Sequence, residues 1–183
     1  MSIVIKIRDC FITAKKDEEK GKKHKGLVIC SQNNQKAKEY LNKAKDSLRL
    51  CKVIKEQGFD YKLPEEWFYS MYYCGLAMLC KFGVESRSQR CTALFLRYVK
   101  NLGLIQFDEE FIDRIMVYSE KEKRSDVDDR QDARYGSWVK DEEIIEKYNT
   151  MMEKGRKCID QCEEMVLSNN EFQLPKELLE EIK

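Results

Sequence analysis

Apolar residues in this chain recur at intervals of three and four, and almost nowhere at intervals of two. Between Asn33 and Gln57 they fall at Ala37, Tyr40, Leu41, Ala44, Leu48, Cys51 and Ile54, the stripe of an amphipathic helix. Gly58 follows as a C-terminal stop. Leu63-Pro64-Glu65-Glu66-Trp67 then opens a second helix, with proline in the first turn and two glutamates favourable to its dipole. The body from Phe68 to Phe82 is apolar on nearly every side, which predicts a central helix contacted all round. Gly75 and Ala77 give another helix room to approach it, the aromatic cluster before them suits a core or a dimer seam, and Gly83 ends it.

After the polar link Glu85 to Arg90, the pattern predicts a helix from about Cys91 to Asn101, stopped at Gly103. Another, from about Asp108 to Lys121, presents Phe111, Ile112, Ile115 and Tyr118 on one face. The segment from Lys123 to Trp138 reads as a charged stretch ending in Gly136-Ser137. A long helix follows from Asp141 to Leu167, striped by Ile144, Ile145, Tyr148, Met152, Cys158, Ile159, Cys162 and Val166, and an amphipathic stub follows Pro175. At the other end, Ile3, Ile5, Ile7, Phe11 and Ile12 predict a short helix, followed by a basic, solvated loop from Lys15 to Lys25. No internal repeat and no useful β-alternation occurs. The expectation is a single all-α domain, an up-and-down bundle of about five main helices with a core over residues 33–166, a short helix and basic loop over 1–30, and a C-terminal stub over 168–183.

Composition agrees with this fold class. Of 183 residues 42% are hydrophobic and 37% charged, too apolar for a disordered chain. Only 2 prolines and 8 glycines punctuate it, too few for the turns of an all-β domain. Charges interrupt the apolar N-terminus and no run approaches the ~20 apolar residues of a membrane span, so a cytoplasmic protein without a membrane partner is expected. In that compartment the 8 cysteines are expected to be reduced, mostly as small core residues. Charge is unevenly spread: residues 1–107 carry 21 Lys and Arg against 11 Asp and Glu, and residues 108–183 carry 13 against 22. A positive half attracts phosphates, and a negative half suits the positive half of a second copy or a basic partner.

No phosphate loop, dinucleotide fingerprint, paired-histidine motif or Gly-x-Ser-x-Gly elbow is present, and no cofactor is implied. Cys158 and Cys162 stand one turn apart but lack a Cys-x-x-Cys or a nearby histidine, so they read as buried thiols and not as metal ligands. The single histidine, His24, sits among lysines without a neighbouring carboxylate or nucleophile and reads as solvated. The basic run around it, with Lys36, Lys38, Lys43 and Lys45 beyond, suits a nucleic-acid backbone or a merely soluble surface. Two stretches are more specific: Arg87-Ser88-Gln89-Arg90, and Arg130-Gln131-Asp132-Ala133-Arg134-Tyr135-Gly136. Each sets guanidinium groups beside hydrogen-bonding partners, as bidentate recognition of phosphate or carboxylate requires; helix capping and surface ion pairs account for the same spacing equally well.

These two stretches, taken in order with the amphipathic first helix and the aromatic Trp67-to-Ala77 run, resemble the HEPN domain, named for a nucleotide-binding domain of higher eukaryotes and prokaryotes. The resemblance spans about Asn33 to Val166. Similar proteins carry a Tyr-Tyr-rich second helix, a Lys-Ser-His-Arg-like link and an Arg-x-x-Ala-Asp-Tyr-like segment. It implies a helical bundle that pairs into a homodimer with a polar cleft near the dimer interface. It also implies binding of nucleotide or RNA, and a partnership with a minimal nucleotidyltransferase as toxin and antitoxin. Arg87, Arg90, Arg130 and Arg134 would then present cations to phosphate, while Ser88, Gln89, Asp132 and Tyr135 orient base, sugar or each other.

Active members are metal-independent ribonucleases with a histidine four to six residues after an arginine. Here those positions after Arg130 hold Arg134, Tyr135 and Gly136, followed by Ser137, and Gln89 occupies the place of the histidine in the link. Glutamine exchanges no proton near neutrality, and tyrosine, with a pKa of about 10, is a poor base there. The alternatives are a ribonucleolytic toxin using Arg130 with Tyr135 or a distant histidine, and a non-catalytic interaction subunit.

Overall fold

The computed structural model describes residues 2–116, 126–135 and 141–182, without the side chains of residues 133–135 and 141. Its described residues form eight α-helices, a single 3-10 turn at Asp60–Lys62 and one two-stranded sheet. The elements run α1 (Ile3–Glu19), β1 (Leu27–Ile29), α2 (Asn34–Glu56), α3 (Leu63–Phe82), β2 (Val84–Ser86), α4 (Gln89–Asn101), α5 (Glu109–Ile115), α6 (Asp126–Tyr135), α7 (Asp141–Leu167) and α8 (Lys176–Ile182). The fold is the all-α bundle that the periodicity predicts.

Helix α3 is the axis. Every residue from Cys74 through Phe82 is buried, because α2, α4, α5, α6 and α7 surround the helix. Gly75 supplies the predicted close approach, since a Cβ there would sit 3.1 Å from Leu96 Cδ1 and 3.2 Å from Thr92 Cγ2 of α4. Gly83 ends the helix with φ 71°, and a side chain would also meet the Cys30 carbonyl oxygen at 2.6 Å. Helix α2 starts where the Asn33 side chain accepts from Lys36 N at 2.8 Å, and it buries Ala37, Leu41, Ala44, Leu48 and Cys51 against α3 and α7. Full burial of a leucine such as Leu79 is worth about 2 kcal/mol relative to exposure, so a core of this extent dominates the stability.

Four departures from the sequence pattern bear on the site. First, α1 is longer than the expected short helix. Ser2 caps it, and Ile7, Cys10, Phe11 and Ala14 form its buried stripe, so the helix carries through Lys15 and Lys16 to Glu19. Second, β1 and β2 pair antiparallel, with Leu27 opposite Ser86 and Ile29 opposite Val84. Three-residue strands are too short to leave an alternation, and the pairing is made by tertiary packing. Third, the charged stretch contains a helix, α6. Its first turn holds Asp126, Asp128 and Asp129, favourable to the helix dipole, and its buried Val127 docks on the core. Tyr118 and the segment Gly136-Ser137 lie outside the described residues.

The fourth departure is covalent. A disulfide joins Cys10 of α1 to Cys91 in the first turn of α4, where the sequence pattern leads to free thiols. The other cysteines are free; Cys74, Cys158 and Cys162 lie together between α3 and α7, with burial raising the thiols of Cys74 and Cys158, and the hydrogen bond with Cys74, followed by burial, raising that of Cys162. Among the described residues no group of ligating side chains is arranged to hold a metal ion.

Opposite charges of the two halves meet within the chain. Lys45 pairs with Glu163 at 2.5 Å, Arg8 with Glu181 at 3.3 Å, and Arg97 with Glu109 and Asp113, each at 2.5 Å. Part of the linear charge asymmetry is thus neutralised by the bundle itself. No helix among the described residues is long and apolar enough to cross a membrane.

Candidate functional site

The link Arg87–Arg90 and the α6 segment are separated by some forty residues, yet the bundle brings them together. With its carboxamide oxygen turned toward α6, Gln89 accepts from both Nη atoms of Arg130 at 3.1 Å. The guanidinium lies over the aromatic floor of α3, 4.3 Å from the Phe68 ring centroid and 5.6 Å from that of Tyr69. Such stacking desolvates one face of the cation and holds it in orientation. α6 delivers Arg130, and the first residue of α4 delivers Gln89.

Behind Gln89 a hydroxyl network sets the start of α4. Ser88 is the N-cap, its side chain accepting from Cys91 N at 3.3 Å. Ser88 N donates to Ser86 Oγ at 3.2 Å, and Thr92 Oγ1 lies 2.8 Å from Ser86 Oγ and 2.9 Å from the Ser88 carbonyl. Ser88 therefore positions the start of α4. Tyr72 stands at the same place on the floor: burial pushes its phenol up, while its hydrogen bond with Thr92 and the charge of Arg130 pull down, leaving it raised. It is a neutral hydroxyl at physiological pH.

A tyrosine row continues from there. Tyr69 stacks on Tyr73 with centroids 5.6 Å apart, and Tyr73 stacks on Tyr40 of α2 at 6.1 Å. Lys43 Nζ lies 5.5 Å from the Tyr40 ring centroid and 5.9 Å from that of Tyr73. The periodicity of α2 marks Tyr40 as an apolar position, but nothing in it announces that the ring meets Tyr73 of α3.

At the edge of the row a carboxylate gathers basic side chains. Glu85 of β2 is 3.2 Å from Lys36 Nζ, 3.2 Å from Arg87 Nε and 3.6 Å from His24 Nε2. Burial raises the Glu85 carboxyl, but the bonds and charges of Lys36 and Arg87 outweigh this and hold it below the ordinary value. His24 is 7% exposed, with its Nδ1 enclosed and without a partner, a correction to the solvated histidine of the sequence pattern. The loop folds back because β1 pairs with β2, which no local signal around His24 reveals.

Of the other predicted site residues, Arg90 and Asp132 are exposed on the surface, and the side chains of Arg134 and Tyr135 lie outside the described residues. The residues missed by sequence reasoning are Phe68, Tyr69, Tyr72, Tyr73 and Tyr40 as a floor, and Glu85 as the collector of cations. The class that fold and site define together is an all-α bundle whose α3 tyrosines, with Tyr40 of α2, lie among Arg130, Lys43, Lys36 and Arg87. No known family model and no curated protein matches the chain.

Proposed function

We propose that this surface binds a nucleotide or RNA, with Arg130 as the phosphate ligand and the partly exposed tyrosines of α3 as the groups against which a base packs, in the manner of the HEPN domains that the chain resembles. The observation that carries this reading is the convergence of Gln89 and Arg130 over Phe68 and Tyr69. Gln89 engages the fork between the two Nη atoms, and the remaining N–H donors of the guanidinium are the ones that would bind an oxyanion. Arg87, now paired with Glu85, is a second cation on the same surface, released when phosphate competes with the carboxylate.

Binding is favoured over cleavage by the state of the acid–base groups. The only histidine has an enclosed Nδ1 and faces Glu85, and burial raises Tyr72, the phenol beneath Arg130. A phenol raised in this way is a poor base for a ribose hydroxyl near neutral pH. A homodimer and a nucleotidyltransferase partner belong to the same reading, on the resemblance alone.

Calorimetric titration with ATP, GTP and a short single-stranded RNA tests it. Saturable binding by the wild type, weakened at least tenfold in Arg130→Ala and at most a few-fold in Arg90→Ala, is the expected result. Silence from every ligand at low salt, or equal affinity in Arg130→Ala, refutes it. Unchanged elution on mixing with candidate nucleotidyltransferases counts against the partner assignment.

A further inference from the structure

The outer edge of β1, on the side away from β2, is open at one end. Cys30 N donates to the Gly83 carbonyl oxygen at 2.9 Å, and Arg87 N donates to that of Gly26 at 3.2 Å. With Leu27 opposite Ser86, these bonds fix the alternation of the antiparallel ladder. Gly26, Val28 and Cys30 turn their backbone polar groups toward β2, and Leu27 and Ile29 turn theirs away from it. Leu27 is covered, but Ile29 is 43% exposed. Among the described residues the Ile29 N–H and C=O have no hydrogen-bond partner.

Beside this edge lies a cavity of about 200 Å³, walled by Phe11 and Ile12 of α1, the three residues of β1 and Ile182 of α8. Side chains alternate between the faces of a strand, so three consecutive residues share one cavity where it runs along the strand's edge. The volume exceeds the ~150 Å³ that holds a benzene ring, room for one leucine or phenylalanine side chain. Lys15 and Glu18 line it as well, and the exposed Lys22, Lys23 and Lys25 lead into β1, so one end of the edge is basic.

We propose that the outer edge of β1 binds an extended segment of a partner protein, which adds as a third strand. One large apolar side chain of that segment fills the cavity, and acidic residues at its end meet the Lys22–Lys25 loop. An edge that presents an N–H beside a C=O is matched by another strand, which supplies both at the same spacing. The cavity selects the apolar residue and the loop selects the charge. A second copy of this chain is a poorer match: pairing β1 with β1 would bring residues 27–38, which hold no Asp or Glu, toward the loop.

Ile29→Pro is a selective probe, because proline removes an N–H that the ladder does not use and is tolerated on an edge strand. The test selects from displayed random peptides of about ten residues on the whole chain. The winners, as synthetic peptides, are then measured by fluorescence anisotropy against wild type, Ile29→Pro and Lys22→Glu/Lys23→Glu/Lys25→Glu, with a thermal melt of each variant. Winners are expected to alternate apolar residues, to carry Asp or Glu at one end, and to bind both variants at least about tenfold more weakly than wild type. On wild type, hydrogen exchange of the Ile29 amide should slow at least about tenfold when peptide saturates it, a readout that needs neither variant to fold. A library without an enriched sequence, winners that bind Ile29→Pro like wild type, or an Ile29 amide that exchanges unchanged overturns the strand addition. Winners without an acidic end overturn the charge assignment. A dimer in sedimentation equilibrium that Ile29→Pro dissociates gives the edge to a second copy, and hexanoate held as tightly as any winner gives the cavity to a small molecule; either overturns the partner.

Discussion

Opening the bond between Cys10 and Cys91 perturbs the fold at a place where the cost can be worked out. The bond spans 81 residues of sequence and ties α1 to the turn of α4 that carries Gln89. Releasing a loop of that length returns about 15 cal/mol/K of entropy to the unfolded chain, or about 4.5 kcal/mol at room temperature. The native packing does not depend on the bond alone. Ile7, Phe11 and Ala14 remain buried against the bundle, and α1 also contacts β1 and α8. The reduced protein is therefore expected to stay folded and to unfold more easily.

Urea denaturation followed by circular dichroism, with and without reductant, should show a midpoint lower by about 2 M in the reduced form, given an m-value of ~2 kcal/mol/M. The double variant Cys10→Ser/Cys91→Ser should match the reduced wild type and no longer respond to reductant. Counting free thiols in the unfolded, unreduced protein supplies the independent check. Coincident midpoints in both redox states, or eight free thiols in protein purified without reductant, would refute the reasoning.

Three further outcomes follow from other parts of the structure. Burial lifts the Asp126 carboxyl to about 6 from the ordinary 3.8, against the pull of Arg114. The folded state then binds the extra proton, so this group's contribution to stability is present below about pH 4 and is lost as pH rises through about 6, a change of about 3 kcal/mol. Asp126→Asn, which keeps an oxygen for Arg114, should remove that fall when its stability is subtracted from wild type across the range; identical slopes would contradict it. Gly26→Ala would put a Cβ 2.0 Å from the Cys10 carbonyl oxygen, so it should part β1 from α1 and cost about 3 kcal/mol or more, visible as a lower melting temperature, whereas a neutral substitution would mean that this approach is wrong. Lys81, 5% exposed, places Nζ 3.4 Å from the Val166 carbonyl and 3.3 Å from that of Ser168; Lys81→Met should cost about 1–2 kcal/mol by uncapping the end of α7, and unchanged thermal stability would dismiss the cap.

The long helices were legible because each has a one-dimensional signature. α2 and α7 declare themselves by a stripe at three-and-four spacing, and α3 by an apolar surface all round that only a central helix can hide. Their ends were legible too, from Asn33, Pro64 and Gly83, since caps and breakers act through the backbone of their immediate neighbours. The candidate residues Gln89 and Arg130 were picked out by type and by the stretches that hold them.

Their meeting was not contained in those patterns. Gln89 reaches Arg130 because α4 and α6 both pack on α3, and the tyrosine row forms because Tyr40 and Tyr73 face one another across a helix pair. The three-residue strands, the burial of His24 and the joining of Cys10 to Cys91 have the same origin. Periodicity reports which face of a segment avoids water, a property of neighbouring residues in the chain. Which faces meet is settled by the packing of the whole core, where every contact depends on where the other helices lie.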